Sequence, residues 1–208
     1  PLMGIDNAMP TYQVLKALFK NVRDLQIDKD HLMVVSPDEG AMNRNMYYSS
    51  VLGTDLGMFY KRRDYSIIVN GRNPIVAHEY LGTSVKGKDI LVADDIIASG
   101  DSMLTLAEDL KKEGARRIFM TVTYGLFTEG VEKFQKAYNE GLFDGILTTN
   151  LTYRCPELLN APWYIEVDMS KYIAYFILAF HQNKSITKLL DPHKKIKDLL
   201  DRYRAAQK

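Results

Sequence analysis

The stretch ILVADDIIASGDSM, residues 90–103, runs four apolar residues into Asp94 and Asp95, then a small polar loop, then a second apolar segment. Adjacent carboxylates at the end of a strand suit the vicinal hydroxyls of a sugar or a hydrated Mg²⁺. The loop that follows, Ala98, Ser99, Gly100, Asp101 and Ser102, has different chemistry. Gly100 lets a ligand approach the backbone, and Ser99 and Ser102 add hydroxyl donors. The free N–H groups at the start of a following helix form an anion site that the helix dipole strengthens. A phosphate on the loop and a diol on the acids together describe a ribose 5-phosphate. The plainer alternative is an Asp95 that ends a strand and an Asp101 or Ser102 that caps a helix. No GKS or GKT is present, so this is not a Walker A loop.

Open parallel sheets bind ligands beyond the carboxyl ends of their strands, so these residues need such a sheet behind them. The rest of the chain has its pattern. Apolar runs at 31–36, 56–60, 89–93, 117–124, 146–149 and 164–167 predict strands. Helical spacing predicts helices over 42–52, 102–113, 129–139 and 171–181; in the second, Leu104, Leu106, Ala107 and Leu110 form the apolar face and Gly114 the stop. Runs that are apolar throughout suit strands covered on both faces. The fold class is therefore α/β, a doubly wound, mostly parallel sheet with helices on both faces.

Two regions break this rhythm. Residues 62–88 carry Asn70-Gly71 and Asn73-Pro74 and predict a long lid loop. Residues 191–208 predict a charged amphipathic helix with a solvated face. The segment YIAYFILAF, 172–180, is about half a membrane span and reads as a buried helix. Lys and Arg number 27 against 26 Asp and Glu, a formal charge of +1, which argues against a general nucleic-acid binder and makes any anion site local. The single cysteine, Cys155, allows no internal disulfide and no paired zinc motif, so a reducing cytoplasm is the expected compartment. The start, PLMGIDNAMP, lacks the basic region and apolar run of a signal peptide, and no membrane association is expected.

An apolar strand, two acids, two apolar residues and a small Ser-Gly loop resemble the phosphoribosyl diphosphate signature of the type I phosphoribosyltransferases. Five blocks narrow the resemblance: Asp6-Asn7, VVSPDEG (34–40), YKRRD (60–64), VKGKDILVADD (85–95) and KSITKLL (184–190). In that order they look like the C-terminal half of a ribose-phosphate pyrophosphokinase, also called phosphoribosyl diphosphate synthetase. The resemblance implies transfer of the diphosphate of ATP to ribose 5-phosphate, with Mg²⁺, by a homo-oligomer. Lys61 and Arg63 match the family's catalytic cations, Asp38 a metal-site acid, Asp94 the residue that holds the ribose hydroxyls beside Asp95, and 99–102 the 5-phosphate loop.

Three departures stand out. Ala98 replaces a common aspartate that contacts the sugar, Asp101 replaces a common Gly or Ala, and the lid is several residues longer than in the common bacterial form. An acid beside a dianionic phosphate is repulsive unless it turns away or meets a cation. A free-standing phosphoribosyltransferase and a non-catalytic ribose-phosphate-binding subunit are the alternative readings. The histidines at 31, 78, 181 and 193 show no metal-ligand spacing, and Trp163 reads as packing.

The first residue is Pro and the resemblance starts at Asp6, so the chain is expected to be one phosphoribosyltransferase-like domain, the C-terminal half of a longer synthetase. Such a half lacks the second wall that orients ATP, and orientation is worth about 7–11 kcal/mol in transfers of this kind. The purified 208-residue chain is expected to form no phosphoribosyl diphosphate from ATP and ribose 5-phosphate above a Lys61→Ala control. Product above that control in a coupled assay overturns the expectation.

Overall fold

The computed structural model describes residues 7–63 and 75–207, with the side chains of 61–63 and 75–78 excepted. In chain order the elements are α1 (Thr11–Asn21), β1 (Leu32–Ser36), α2 (Met42–Leu52), β2 (Asp55–Arg63), β3 (Ile75–Leu81), β4 (Asp89–Ile97), α3 (Asp101–Lys112) and β5 (Arg117–Gly125). They continue with α4 (Glu132–Asn139), β6 (Gly145–Thr149), α5 (Pro156–Leu159), β7 (Tyr164–Val167), α6 (Ser170–His181), α7 (Thr187–Leu190) and α8 (His193–Ala206). The seven strands form one sheet in the order β3-β2-β1-β4-β5-β6-β7, parallel except for the β2–β3 pair.

The unalternated apolar strands do what that pattern predicts: all five residues of β1 and of β6 are buried. Successive residues feed opposite layers, because side chains alternate across a strand. Met33, Val35, Ile90, Val92, Ile118 and Met120 pack under α3 and α4 with an aromatic cluster of Phe127, Phe134, Phe143 and Trp163. Leu32, Val34, Leu91, Ala93, Phe119 and Leu147 pack on the other side under α1, α2 and α8. Each such aliphatic side chain contributes about 1.5–3 kcal/mol by leaving water. After β1 the chain winds outward to β2 and β3. It then returns to the far side of β1 as β4 and winds the other way, so the direction reverses between β1 and β4.

Three expectations change. Residues 62–88 are not one loop: β2 extends to Arg63, and β3 pairs with it antiparallel, with Lys61 opposite His78 and Tyr60 opposite Glu79. The turn pairs Asn70-Gly71 and Asn73-Pro74 just before it point to a loop, and the ladder of this strand covers the outer edge of β2. Of the expected lid, residues 64–74 lie outside the described residues, as do Asp6 of the first resemblance block and Asp64 of YKRRD. The apolar segment 172–180 forms α6, but among its described residues only Ala179 is buried, and Ile177 and Phe180 are 64% and 62% exposed. Composition marks a segment as apolar without saying whether the fold has a layer to lay over it. The C-terminal helix also does more than face solvent. Ile196 and Leu200 are buried, Tyr203 donates to the Val22 carbonyl and accepts the Leu25 N–H, and its ring stacks on Phe19. No helix among the described residues is long and apolar enough to cross a membrane.

At the amino edge of the sheet, the fully buried Asp89 accepts paired hydrogen bonds from both Arg116 and Arg117, at 2.6–3.1 Å, and Arg117 reaches on to Asp24. Burial works to raise the Asp89 pKa, but the two guanidinium groups outweigh it and leave the carboxyl below its ordinary range. A lowered folded-state value adds stability above the unfolded pKa of about 3.9 and loses it as pH falls through the folded value. Asp89→Asn is expected to lower unfolding free energy by about 1–3 kcal/mol at pH 7. It is also expected to flatten the loss of stability below about pH 4, read by urea unfolding across pH. An unchanged urea midpoint at pH 7 removes Asp89 from the fold's supports.

Candidate active site

The β1–β4 ladder stops at Val35 opposite Val92, whereas β4 runs on to Ile97 with β5 as its only strand partner among the described residues. The strand is thus four residues longer than the apolar run predicts, because backbone pairing to β5 continues through the two acids. Asp94 and Asp95 stand where β1 has ended, at the carboxyl edge and the reversal point of the sheet. They line a cavity of about 360 Å³ together with Asn7, Arg44, Thr121 and Tyr124. The Thr121 hydroxyl is buried and has no hydrogen-bond partner among the described residues.

Asp94 Oδ1 receives Arg44 Nη1 at 3.3 Å and the Asp95 N–H at 2.8 Å. Burial pushes the Asp94 pKa up to about 6, the Asp95 and Asp38 charges add to the rise, and the Asp95 N–H and Arg44 oppose it. Asp38 sits in a turn: its carboxylate accepts the Ala41 N–H at 3.1 Å, and its carbonyl accepts Ser36 Oγ at 2.8 Å. No group of three or more His, Cys, Asp or Glu among the described residues is placed to hold a metal ion by itself.

The loop after β4 ends on Gly100, the N-cap of α3, at φ +94°. That conformation favours glycine. Space demands it as well, since a Cβ there would lie 2.0 Å from Phe134 Cζ. Ala98 is exposed and its carbonyl accepts the Thr128 N–H; Ser102 is exposed in the first turn of α3. Ser99 Oγ donates to Asp101 Oδ2 at 3.0 Å. Lys133 meets Asp101 Oδ1 and Glu129 Oε2, both at 2.7 Å. Asp101 therefore has the cation that a phosphate loop requires of it, and the Lys133 and Ser99 hydrogen bonds hold its carboxyl below the usual range. One ammonium serves two carboxylates, so this trio keeps a net negative charge. The acids line the cavity and the Ser99–Ser102 stretch does not.

Lys61 and Arg63 lie on the last rungs of β2, opposite His78 and Ile75, and their side chains lie outside the described set. Since β2, β1 and β4 run parallel, both sit at the same edge of the sheet as Asp38 and Asp94. Arg44 and Lys133 are site residues that pattern reading missed. Each is a cation in the first turn of its helix, where the dipole disfavours positive charge, and this mismatch was the available signal for a carboxylate partner.

The model of the phosphoribosyl transferase domain family matches residues 4–138. A ribose-phosphate pyrophosphokinase of Thermococcus kodakarensis is 38% identical over 109 residues, covering 52% of this chain and 36% of that protein. The Mycoplasma pneumoniae ribose-phosphate pyrophosphokinase is 29% identical over 168 residues, covering 80% of this chain and 49% of that protein. The chain thus spans between about a third and a half of the length of these curated relatives. Among solved structures, phosphoribosylpyrophosphate synthetase from Mycobacterium smegmatis shares the fold, with TM-score 0.62, 21% identity, 82% of this chain and 51% of that one.

The Asp94 carboxyl, raised to about 6, favours the folded state only while it stays protonated. Its contribution is present below about pH 4 and is lost as pH rises through about 6. Asp94→Asn is expected to raise unfolding free energy by about 1–2 kcal/mol at pH 7.5 and to leave it unchanged at pH 4, the gain kept below the full shift because the side chain is partly solvated. A variant that is less stable than wild type at pH 7.5 contradicts this account of the site.

Proposed function

The chain belongs to the phosphoribosyl transferase domain family, and from that premise we propose that it holds ribose 5-phosphate for the synthesis of phosphoribosyl diphosphate from ATP. The observation that carries this reading is the order along β4. Two acids line a cavity at the reversal point, and five residues after the second a left-handed glycine opens a helix. Diol and phosphate recognition thus follow one another on a single rigid strand and loop. Similarity to ribose-phosphate pyrophosphokinases, rather than to the phosphoribosyl transferase domain alone, supports the direction of the reaction.

In this reading Asp94 accepts hydrogen bonds from the ribose hydroxyls, with Asp95 beside it, and Arg44 yields its place on Asp94 to them. Ser99, Gly100, Asp101 and Ser102 surround the 5-phosphate, with Ala98 at the start of the turn. The N–H groups at the start of α3 supply the donors and the dipole. Mg²⁺ usually keeps several waters and takes one or two carboxylates plus substrate phosphates, so Asp38 can hold it without a cluster. Bound there, the ion would neutralise charge on the diphosphate oxygens. Lys61 and Arg63, at the same edge, stabilise the charge that spreads over the transferring group.

One observation favours a second reading, a ribose-phosphate-binding subunit without turnover. Asp101 already occupies the Ser99 hydroxyl, and the loop's trio carries surplus negative charge. Both readings need the phosphate to sit on this loop. Calorimetry on the chain is expected to show tighter binding of ribose 5-phosphate than of ribose. Asp101→Asn, which removes one unit of repulsion, is expected to tighten ribose 5-phosphate about fivefold and to leave ribose unchanged. Equal affinity for the sugar and its phosphate rules the loop out as a phosphate site.

A further inference from the structure

Asn45, on the second turn of α2, is fully buried, and its carboxamide makes four hydrogen bonds. The two Nδ2 hydrogens go to the Ala93 carbonyl at 2.7 Å and the Ala41 carbonyl at 2.9 Å, and Ser36 Oγ at 3.3 Å shares one of them as a longer, three-centre contact. Oδ1 accepts the Ala93 N–H at 3.0 Å. Asparagine is a poor helix former, and a buried amide must be paired, so neither helix propensity nor burial accounts for the residue. Its partners do.

Ala93 is the first residue of β4 beyond the last rung to β1. Its N–H and C=O both turn toward β1, whose last residue, Ser36, pairs with β2 and not with Ala93. A carboxamide carries the same donor and acceptor pair as a peptide group, and Asn45 presents both to Ala93. The side chain stands in for the missing rung to β1, one residue before Asp94. The same Nδ2 also binds Ser36 and Ala41, the two residues that hold Asp38 through its carbonyl and its carboxylate.

We infer that Asn45 is a positioning residue for sugar-phosphate binding. Its carboxamide closes the open end of the β1–β4 ladder and sets the Asp94 carboxylate against the Asp38 turn, without touching the substrate. This rests on the functional reading above only for the identity of the ligand; the closure of the ladder is independent of it.

Amide hydrogen exchange and ribose 5-phosphate calorimetry on the 208-residue chain test the two parts separately. Asn45→Ala is expected to speed exchange of the Ala93 amide at least tenfold, with the Leu91 amide unchanged. Asn45→Asp keeps an acceptor for that amide but loses the donors, so Ala93 stays protected while the strand end loses its carbonyl partner. Both variants are expected to bind ribose 5-phosphate about tenfold more weakly, well below their melting temperatures. Leu18→Ala, a cavity in the same layer, is expected to lower the melting temperature and leave affinity within twofold. Should Asn45→Ala fail to fold, Asn45→Ser replaces it with the same expectations.

Unchanged Ala93 exchange in Asn45→Ala, affinity within twofold of wild type, or an equal loss in Leu18→Ala overturns the inference. A wild-type chain that binds no ribose 5-phosphate overturns the functional reading instead, and Ala93 exchange then decides alone whether Asn45 holds the strand end.

Discussion

The unequal length of two neighbouring strands is the constraint on which the rest of this structure depends. β1 stops pairing with β4 at Val35, and β4 continues to Ile97 against β5. That difference opens one side of β4 just where its side chains change from apolar to acidic. Without it, Asp94 would sit inside a sheet with strands on both sides. With it, the acid faces a cavity, supported from behind by β5 and from the side by an amide on α2.

Two aspartates on the same strand show how placement decides charge. Asp89 and Asp94 are both withdrawn from water, which raises the pKa of each. Asp89 has two arginines in paired contact and ends below its ordinary range. Asp94 has one longer contact to Arg44 and two acidic neighbours, and ends at about 6. The first arrangement stabilises the fold at neutral pH. The second leaves a carboxylate under-compensated and so receptive to hydroxyl donors or a cation, the condition common at binding sites.

The loop that follows is held from the opposite layer. Phe134, buried in the aromatic cluster with Phe127 and Trp163, fills the space where Gly100 would carry a side chain. The start of α3 is thereby seated against the core rather than left to the loop's own preferences. From α4, Lys133 meets the loop's acid. The two helices over this face of the sheet act together on one turn.

Much of this was legible in the residues alone. Unalternated apolar runs announced buried parallel strands, and helical spacing bounded α2 at Met42 and Leu52 as the structure has it. The acids, the small loop and its glycine were visible as a local unit, because strand, turn and helix start are written in adjacent residues. What stayed hidden depends on contacts between distant segments. β3 follows two turn-forming pairs, Asn70-Gly71 and Asn73-Pro74, and is a strand because β2 offers it an edge. α6 is apolar yet exposed, because a fold must supply the covering layer and no local pattern encodes one. Arg44, Asn45 and Lys133 lie 50, 48 and 32 positions from the residues they serve. Residue types and local spacing determined which chemistry is present; the point at which β1 ends, a property of the assembled sheet, decided which of those groups face the same cavity.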